Sequence, residues 1–162
     1  IQLKNKLYFS NPQIVLQEVP DEISLALSIS GCNLACKGCH SSETWDKFYG
    51  SELTDTVLHD LLTKHKHITC LLIYDGKHNV DRLTELLVIA KSFNLKTAMY
   101  TGLDVLEPEL INLLDYYKLG KYDKQLGGLS STTTNQRLYK VTQSNTIHQY
   151  NFQSNQWNIV HV

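Results

Sequence analysis

Apolar and polar positions alternate with period two from Ile23 to Ile29 (Ile-Ser-Leu-Ala-Leu-Ser-Ile), which predicts a strand that ends at Gly31. Ahead of it, residues 1–22 read as a lead-in with a short strand, Gln13 to Glu18, before Pro20. Beyond it the period changes. Val57, Leu58, Leu61 and Leu62 recur at helical spacing, predicting a helix from Thr54 to His65 with Ser51 or Thr54 as N-cap. Ile68 to Tyr74 is a nearly continuous apolar run, the pattern of a strand buried on both faces. A second helix from Asp81 to Phe93 gathers Leu83, Leu86, Leu87 and Ala90 on one face. Leu95 to Tyr100 reads as the next strand, stopped by Thr101-Gly102. Pro108 to Leu114 reads as a short helix with proline near its first turn, and Tyr116 to Leu119 as a fourth strand.

The order strand, loop, helix, strand, helix, strand, helix, strand implies an α/β fold with parallel strands joined by crossovers. In such folds sites collect beyond the carboxyl ends of the strands. The loop that begins at Gly31, Asp75-Gly76, and Tyr100-Thr101-Gly102 all fall at such ends. From Lys121 the texture becomes polar, with Gly127-Gly128 and Ser130 to Thr134. Three short strands come after it: Arg137 to Thr142, Thr146 to Phe152, and Trp157 to Val162. They read as a small antiparallel meander packed on the edge.

Length and charge narrow the function classes. A chain of 162 residues fits one domain, 1–162. A formal net charge of −1 supplies no general basic field for nucleic acid. Apolar stretches such as Leu83 to Ala90 are far too short to span a bilayer, so no membrane role is expected.

Three of the four cysteines lie in one window: Cys32, Cys36 and Cys39, spaced C-x3-C-x2-C, while Cys70 stands alone in an apolar run and reads as core. Clustered thiols without a secretion signal predict metal binding in a reducing compartment, the cytoplasm. Three readings of the cluster are open. Buried structural cysteines are one. A structural zinc site closed by a distant fourth ligand is another, although His40 directly follows Cys39 and no second C-x2-C exists. The third is a 4Fe–4S cluster with three thiolates, one short of closure. Its fourth iron is then available to chelate the amino and carboxyl groups of S-adenosylmethionine (SAM), whose C–S bond one electron cleaves.

The C-x3-C-x2-C loop resembles the radical-SAM superfamily. More narrowly, Gly31-Cys32-Asn33-Leu34-Ala35-Cys36-Lys37-Gly38-Cys39-His40 with Thr44-Trp45 after it resembles the activating protein of the anaerobic ribonucleoside-triphosphate reductase. Gly38 stands before the third cysteine, where many radical-SAM enzymes carry an aromatic residue. The likeness continues at Tyr100-Thr101-Gly102 and at Thr134-Asn135-Gln136-Arg137-Leu138-Tyr139. It implies a shortened, open (β/α) radical-SAM half-barrel with a C-terminal β extension. It further implies an activase that leaves a glycyl radical on the large reductase subunit, fed by a low-potential donor such as a flavodoxin. The runner-up readings are a radical-SAM enzyme acting on a small molecule, and a non-enzymatic cysteine-based metal-binding module.

Cys32, Cys36 and Cys39 are the candidate metal ligands. Asn33 and His40 flank the cluster, or cap and support its loop. Radical-SAM proteins usually carry a Gly-Gly-Glu-like segment after the second strand, whose acid meets the methionine ammonium. Here the stretch reads Tyr74-Asp75-Gly76-Lys77, so either Asp75 supplies the carboxylate or Lys77 points away, and Asp75 is the candidate. The competing reading makes Asp75-Gly76 a turn. Thr101 and Gly102 are candidates for SAM contact or for a turn, and Asn135 and Arg137 for the SAM site or a solvated loop. Tyr116, Tyr117 and Tyr122 are candidates for a protein contact, and His65 and His67 suit a helix end.

Overall fold

The computed structural model describes residues 6–30, 50–75, 79–121, 125–128, 131–142 and 146–160. Among these, nine strands form one sheet, in chain order β1 (Tyr8–Leu16), β2 (Ile23–Ile29), β3 (Ser51–Glu52), β4 (Cys70–Tyr74), β5 (Lys96–Tyr100), β6 (Tyr116–Leu119), β7 (Arg137–Val141), β8 (Ile147–Asn151) and β9 (Gln156–Ile159). Their spatial order is β3-β1-β2-β4-β5-β6-β7-β8-β9. β2, β4, β5 and β6 pair in parallel. The flanks, β3-β1-β2 on one side and β6-β7-β8-β9 on the other, are antiparallel.

Helices α1 (Asp55–Lys64), α2 (Val80–Ser92) and α3 (Pro108–Ile111) connect the parallel strands. α1 starts where the Thr54 hydroxyl accepts the Val57 N–H at 3.1 Å. α2 is capped by Asn79, whose side chain accepts from Arg82 N at 3.2 Å and donates to Lys6 O at 3.3 Å. Arg82 joins the two helix starts, with Nη1 2.7 Å from Asp55 and Nη2 donating to Leu53 O at 3.1 Å.

The pleat sends alternate side chains to opposite faces. Leu25, Leu27, Ile29, Leu71, Ile73 and Met99 meet Leu58, Leu62, Leu83, Leu86, Leu87 and Leu110 from the three helices. The opposite face gathers Ala26, Cys70, Leu72, Ala98, Tyr100, Tyr116 and Leu138 under Val19. No helix contributes to that second cluster among the described residues. Residues 17–22 cross it instead: the Tyr100 hydroxyl donates to Glu18 O at 2.6 Å and that of Tyr116 to Glu22 Oε2 at 2.7 Å.

The strand expected at 23–29 is β2. The lead-in strand begins earlier than expected, at Tyr8, because Tyr8 and Phe9 pair with Ser51 and Glu52, a two-residue strand too short to leave a periodic signal. α3 ends at Ile111, before the expected Leu114. The C-terminal strands form the expected antiparallel meander at the edge, and they join the main sheet directly by pairing with β6.

Leu71 is fully buried between β4 and the helices. Leu71→Ala is expected to lower unfolding free energy by about 2–5 kcal/mol in urea titrations. An unchanged midpoint would mean that the helix layer does not press on β4.

Candidate functional site

Parallel pairing places Ser28, Tyr74, Tyr100 and Lys118 side by side across the carboxyl ends of β2, β4, β5 and β6. The ladder continues one step further, with Asp75 N donating to Tyr100 O at 2.9 Å and Thr101 N to Lys118 O at 3.0 Å. Ser30, two residues before Cys32, donates its N–H to Tyr8 O at 2.9 Å. Past the cysteine segment, Ser51 pairs with Phe9. The segment that carries the cysteines therefore departs from and returns to adjacent residues of β1. Gly50 has φ +91°, and a Cβ there would lie 2.1 Å from Phe9 O, so only glycine fits.

Cys32, Asn33, Cys36, Cys39 and His40 lie outside the described residues, as do Thr44, Trp45, Gly76, Lys77 and Tyr122. The other SAM-site candidates, Asp75, Thr101, Gly102, Asn135 and Arg137, are brought to one edge of the sheet. Asp75 is half-buried and sits at φ +66°, a left-handed conformation that costs most residues about 1–2 kcal/mol and that Asp tolerates better. Thr101 is 3% exposed, and its hydroxyl accepts Leu103 N at 3.3 Å, which builds the turn that Gly102 belongs to.

Asn135 and Arg137 reach the same edge through β7, because Arg137 pairs with Leu119. Asn135 Nδ2 donates to Lys121 O at 2.9 Å, and Gln136 Nε2 to Gly120 O at 3.2 Å. Gly120 (φ +109°) lets this pair approach: a Cβ there would lie 2.7 Å from Asn135 O. The Arg137 guanidinium turns back on the chain, donating to Thr134 O at 2.6 Å and Gln136 O at 2.8 Å. These contacts clasp β7 to the end of β6, and the side chain of Arg137 remains exposed.

Two charged residues belong to this edge that the sequence pattern alone did not single out. Lys118 stands on the second face with its Nζ 4.8 Å from the Tyr100 ring centroid. Burial pulls its pKa down, and the carboxylates of Glu18 and Asp75 partly oppose that shift. Burial pushes the Tyr74 phenol up, and the adjacent Glu18 carboxylate, to which Tyr74 is hydrogen-bonded, adds to it. The Tyr100 phenol is likewise raised, chiefly by burial. Glu18, Tyr74, Tyr100 and Lys118 thus form a polar floor beneath the carboxyl edge. A lysine one residue before the end of a strand was the available signal; Glu18, remote in sequence, offered none.

Among the described residues, no group of three or more His, Cys, Asp or Glu side chains is placed to hold a metal ion. No helix among them is long and apolar enough to cross a membrane.

The arrangement defines a class: a mixed α/β protein whose cysteine-bearing segment is inserted at the carboxyl end of a central parallel strand. Residues 23–142, most of the chain, match the family model of the 4Fe-4S single cluster domain, and the chain belongs to that family. It is an iron–sulfur cluster-binding domain. The matched span runs from the first residue of β2 to just past β7. Searches of curated proteins and of solved structures return no match.

Gly50→Ala is expected to strain the junction with Phe9. In anaerobically reconstituted protein it should lower iron retention as well as the melting temperature, because the return of the cysteine segment depends on that turn. Wild-type values for both would show that the junction yields without loss.

Proposed function

We propose that this chain is a radical-SAM activase, which binds a 4Fe–4S cluster through Cys32, Cys36 and Cys39 and generates a glycyl radical on the anaerobic ribonucleoside-triphosphate reductase. The observation that carries the reading is the position of the fourth cysteine. Cys70 opens β4 opposite Ser24, at the amino end of the parallel strands, whereas the cysteine segment leaves β2 at the carboxyl end. It is fully buried, and its thiol is pushed up to about 12 by that burial. A buried neutral thiol at the wrong end of the sheet is no fourth ligand. Of the four cysteines, three are then left to serve as ligands, which fits a cluster with one iron left for another ligand.

Cluster and SAM, when bound, supply one-electron cleavage of a C–S bond. The chain's own residues receive SAM's methionine end. Asp75 offers a carboxylate to the ammonium, and Lys118 offers an ammonium to the carboxylate. Tyr74, Tyr100 and residues 17–22 close the floor of the site and keep water from beneath it. Asn33, His40, Gly76, Thr101 and Gly102 complete the lining in this reading, with Asn135 and Arg137 on the β7 side. Helix placement supports an open (β/α) half-barrel, because among the described residues all three helices pack on one face, while doubly wound sheets carry helices on both. The compartment is the cytoplasm, with a flavodoxin-like protein as electron donor.

Anaerobic reconstitution tests the cofactor. We expect roughly four irons and four sulfides per chain and a reduced-state EPR signal that changes when SAM is added. Cys70→Ala should keep the iron and Cys36→Ala should lose it. Stoichiometric zinc, or an EPR signal indifferent to SAM, would overturn the assignment. The partner is tested by mixing with the reductase and SAM under reduction, where a glycyl doublet is expected; its absence would point to a small-molecule substrate.

The two counter-charges are tested by titration. Asp75→Ala and Lys118→Met should each weaken SAM binding about tenfold or more, equivalent to about 1.4 kcal/mol. Lys118→Met should melt no lower than wild type, because it removes a charge that burial disfavours. Unchanged SAM affinity would remove the residue from the site.

A further inference from the structure

At the amino ends of the parallel strands, the end opposite Ser28 and Tyr74, lies an open cavity of about 570 Å³. Its floor is apolar: Leu62 and Ile68 are buried, and Phe93 and Leu95 are half-buried. Lys66 and Lys96 also line it, and both are exposed. Lys64 and His67 add exposed basic groups beside Lys66. Glu22 is the one acid in the lining, and its carboxylate is already engaged by the Thr69 hydroxyl at 2.7 Å and the Tyr116 hydroxyl at 2.7 Å. The neighbouring Asp115 is paired with Lys91 and accepts Thr97 N at 3.0 Å. Asp115 is thus balanced by Lys91, whereas Glu22 keeps its charge, so Lys66 and Lys96 outnumber by one the acid described in the lining. In a chain of net charge −1 this local excess is a feature of one face.

We propose that this cavity docks an acidic polypeptide segment of a partner protein, with an aliphatic or aromatic side chain of that segment seated over Leu62, Ile68, Phe93 and Leu95. A second copy of this chain is a poor occupant, because a two-fold contact would set these lysines against their own copies. Each parallel strand holds the carboxyl edge about 16 Å away, so a partner anchored here leaves the cysteine end open. The proposal does not depend on the radical-SAM reading.

The probe is a blocked peptide, acetyl-Asp-Glu-Asp-Leu-Phe-Glu-Asp-Glu-amide, titrated into the full holoprotein by fluorescence anisotropy and by amide chemical-shift mapping. Saturable binding below about 1 mM is expected, with shifts confined to residues 62–69 and 93–96. The affinity should fall at least about fivefold between roughly 0.05 and 0.3 M salt. It should be lost in Lys66→Glu/Lys96→Glu, both exposed positions whose reversal leaves the circular dichroism spectrum unchanged. A version with Leu and Phe replaced by Ser should bind at least about tenfold more weakly. Absence of binding, shifts that map elsewhere, salt-insensitive binding, or equal affinity of the Ser version would each overturn the proposal. Cluster content and the response to SAM are read on the same sample, so a failure of the radical-SAM reading registers separately.

Discussion

In-register pairing of four parallel strands is the constraint on which the rest of this molecule depends. β2, β4, β5 and β6 share one register, from Ser24, Cys70 and Lys96 at one end to Ser28, Tyr74, Tyr100 and Lys118 at the other. Side chains on a strand alternate faces, so a slip of one residue would exchange the two faces throughout. Leu71 and Ile73 would leave the helices, and Tyr100 and Lys118 would leave the polar floor. The apolar mass beneath the helices makes that slip expensive, and the position of every group at the carboxyl edge depends on it.

The two faces solve different problems. The helix face is almost wholly aliphatic, and burial of its leucines and isoleucines drives collapse. The second face carries tyrosines, which bring hydroxyls that need partners once buried. Residues 17–22 supply them, through Glu18 O to Tyr100 and the Glu22 carboxylate to Tyr116. The strap thereby does two things at once. It covers apolar surface with Val19 and delivers the Glu18 carboxylate beside Tyr74, within electrostatic reach of Lys118.

The two ends of the sheet also differ. The carboxyl end holds the turns, the left-handed Asp75, and the junction through which the cysteine segment leaves and returns. The amino end holds Cys70 and an apolar hollow lined in part by lysines. Four cysteines in the sequence thus divide by position: three on the inserted segment, and one sealed in the second face where burial keeps it protonated.

What the sequence determined by itself was local. The alternation from Ile23 to Ile29, the apolar run to Tyr74 and the helical leucines of α2 are encoded within single segments and stand in the structure as β2, β4 and α2. The C-x3-C-x2-C spacing is likewise written within one segment, inside the span that matches the 4Fe-4S family. That spacing also carried the chemistry, because thiolate count and separation are properties of adjacent residues. Tertiary structure decided what meets what. β3 exists only because Phe9 and Tyr8 receive it, and the Asn135-Gln136 clasp only because Gly120 lacks a side chain. Glu18 and Lys118 are a hundred residues apart in the chain and become neighbours through a turn that folds back over the sheet. Periodicity reports which face of an element is buried; it carries no information about which remote element will cover it, since that choice is made by register, crossover and close packing together.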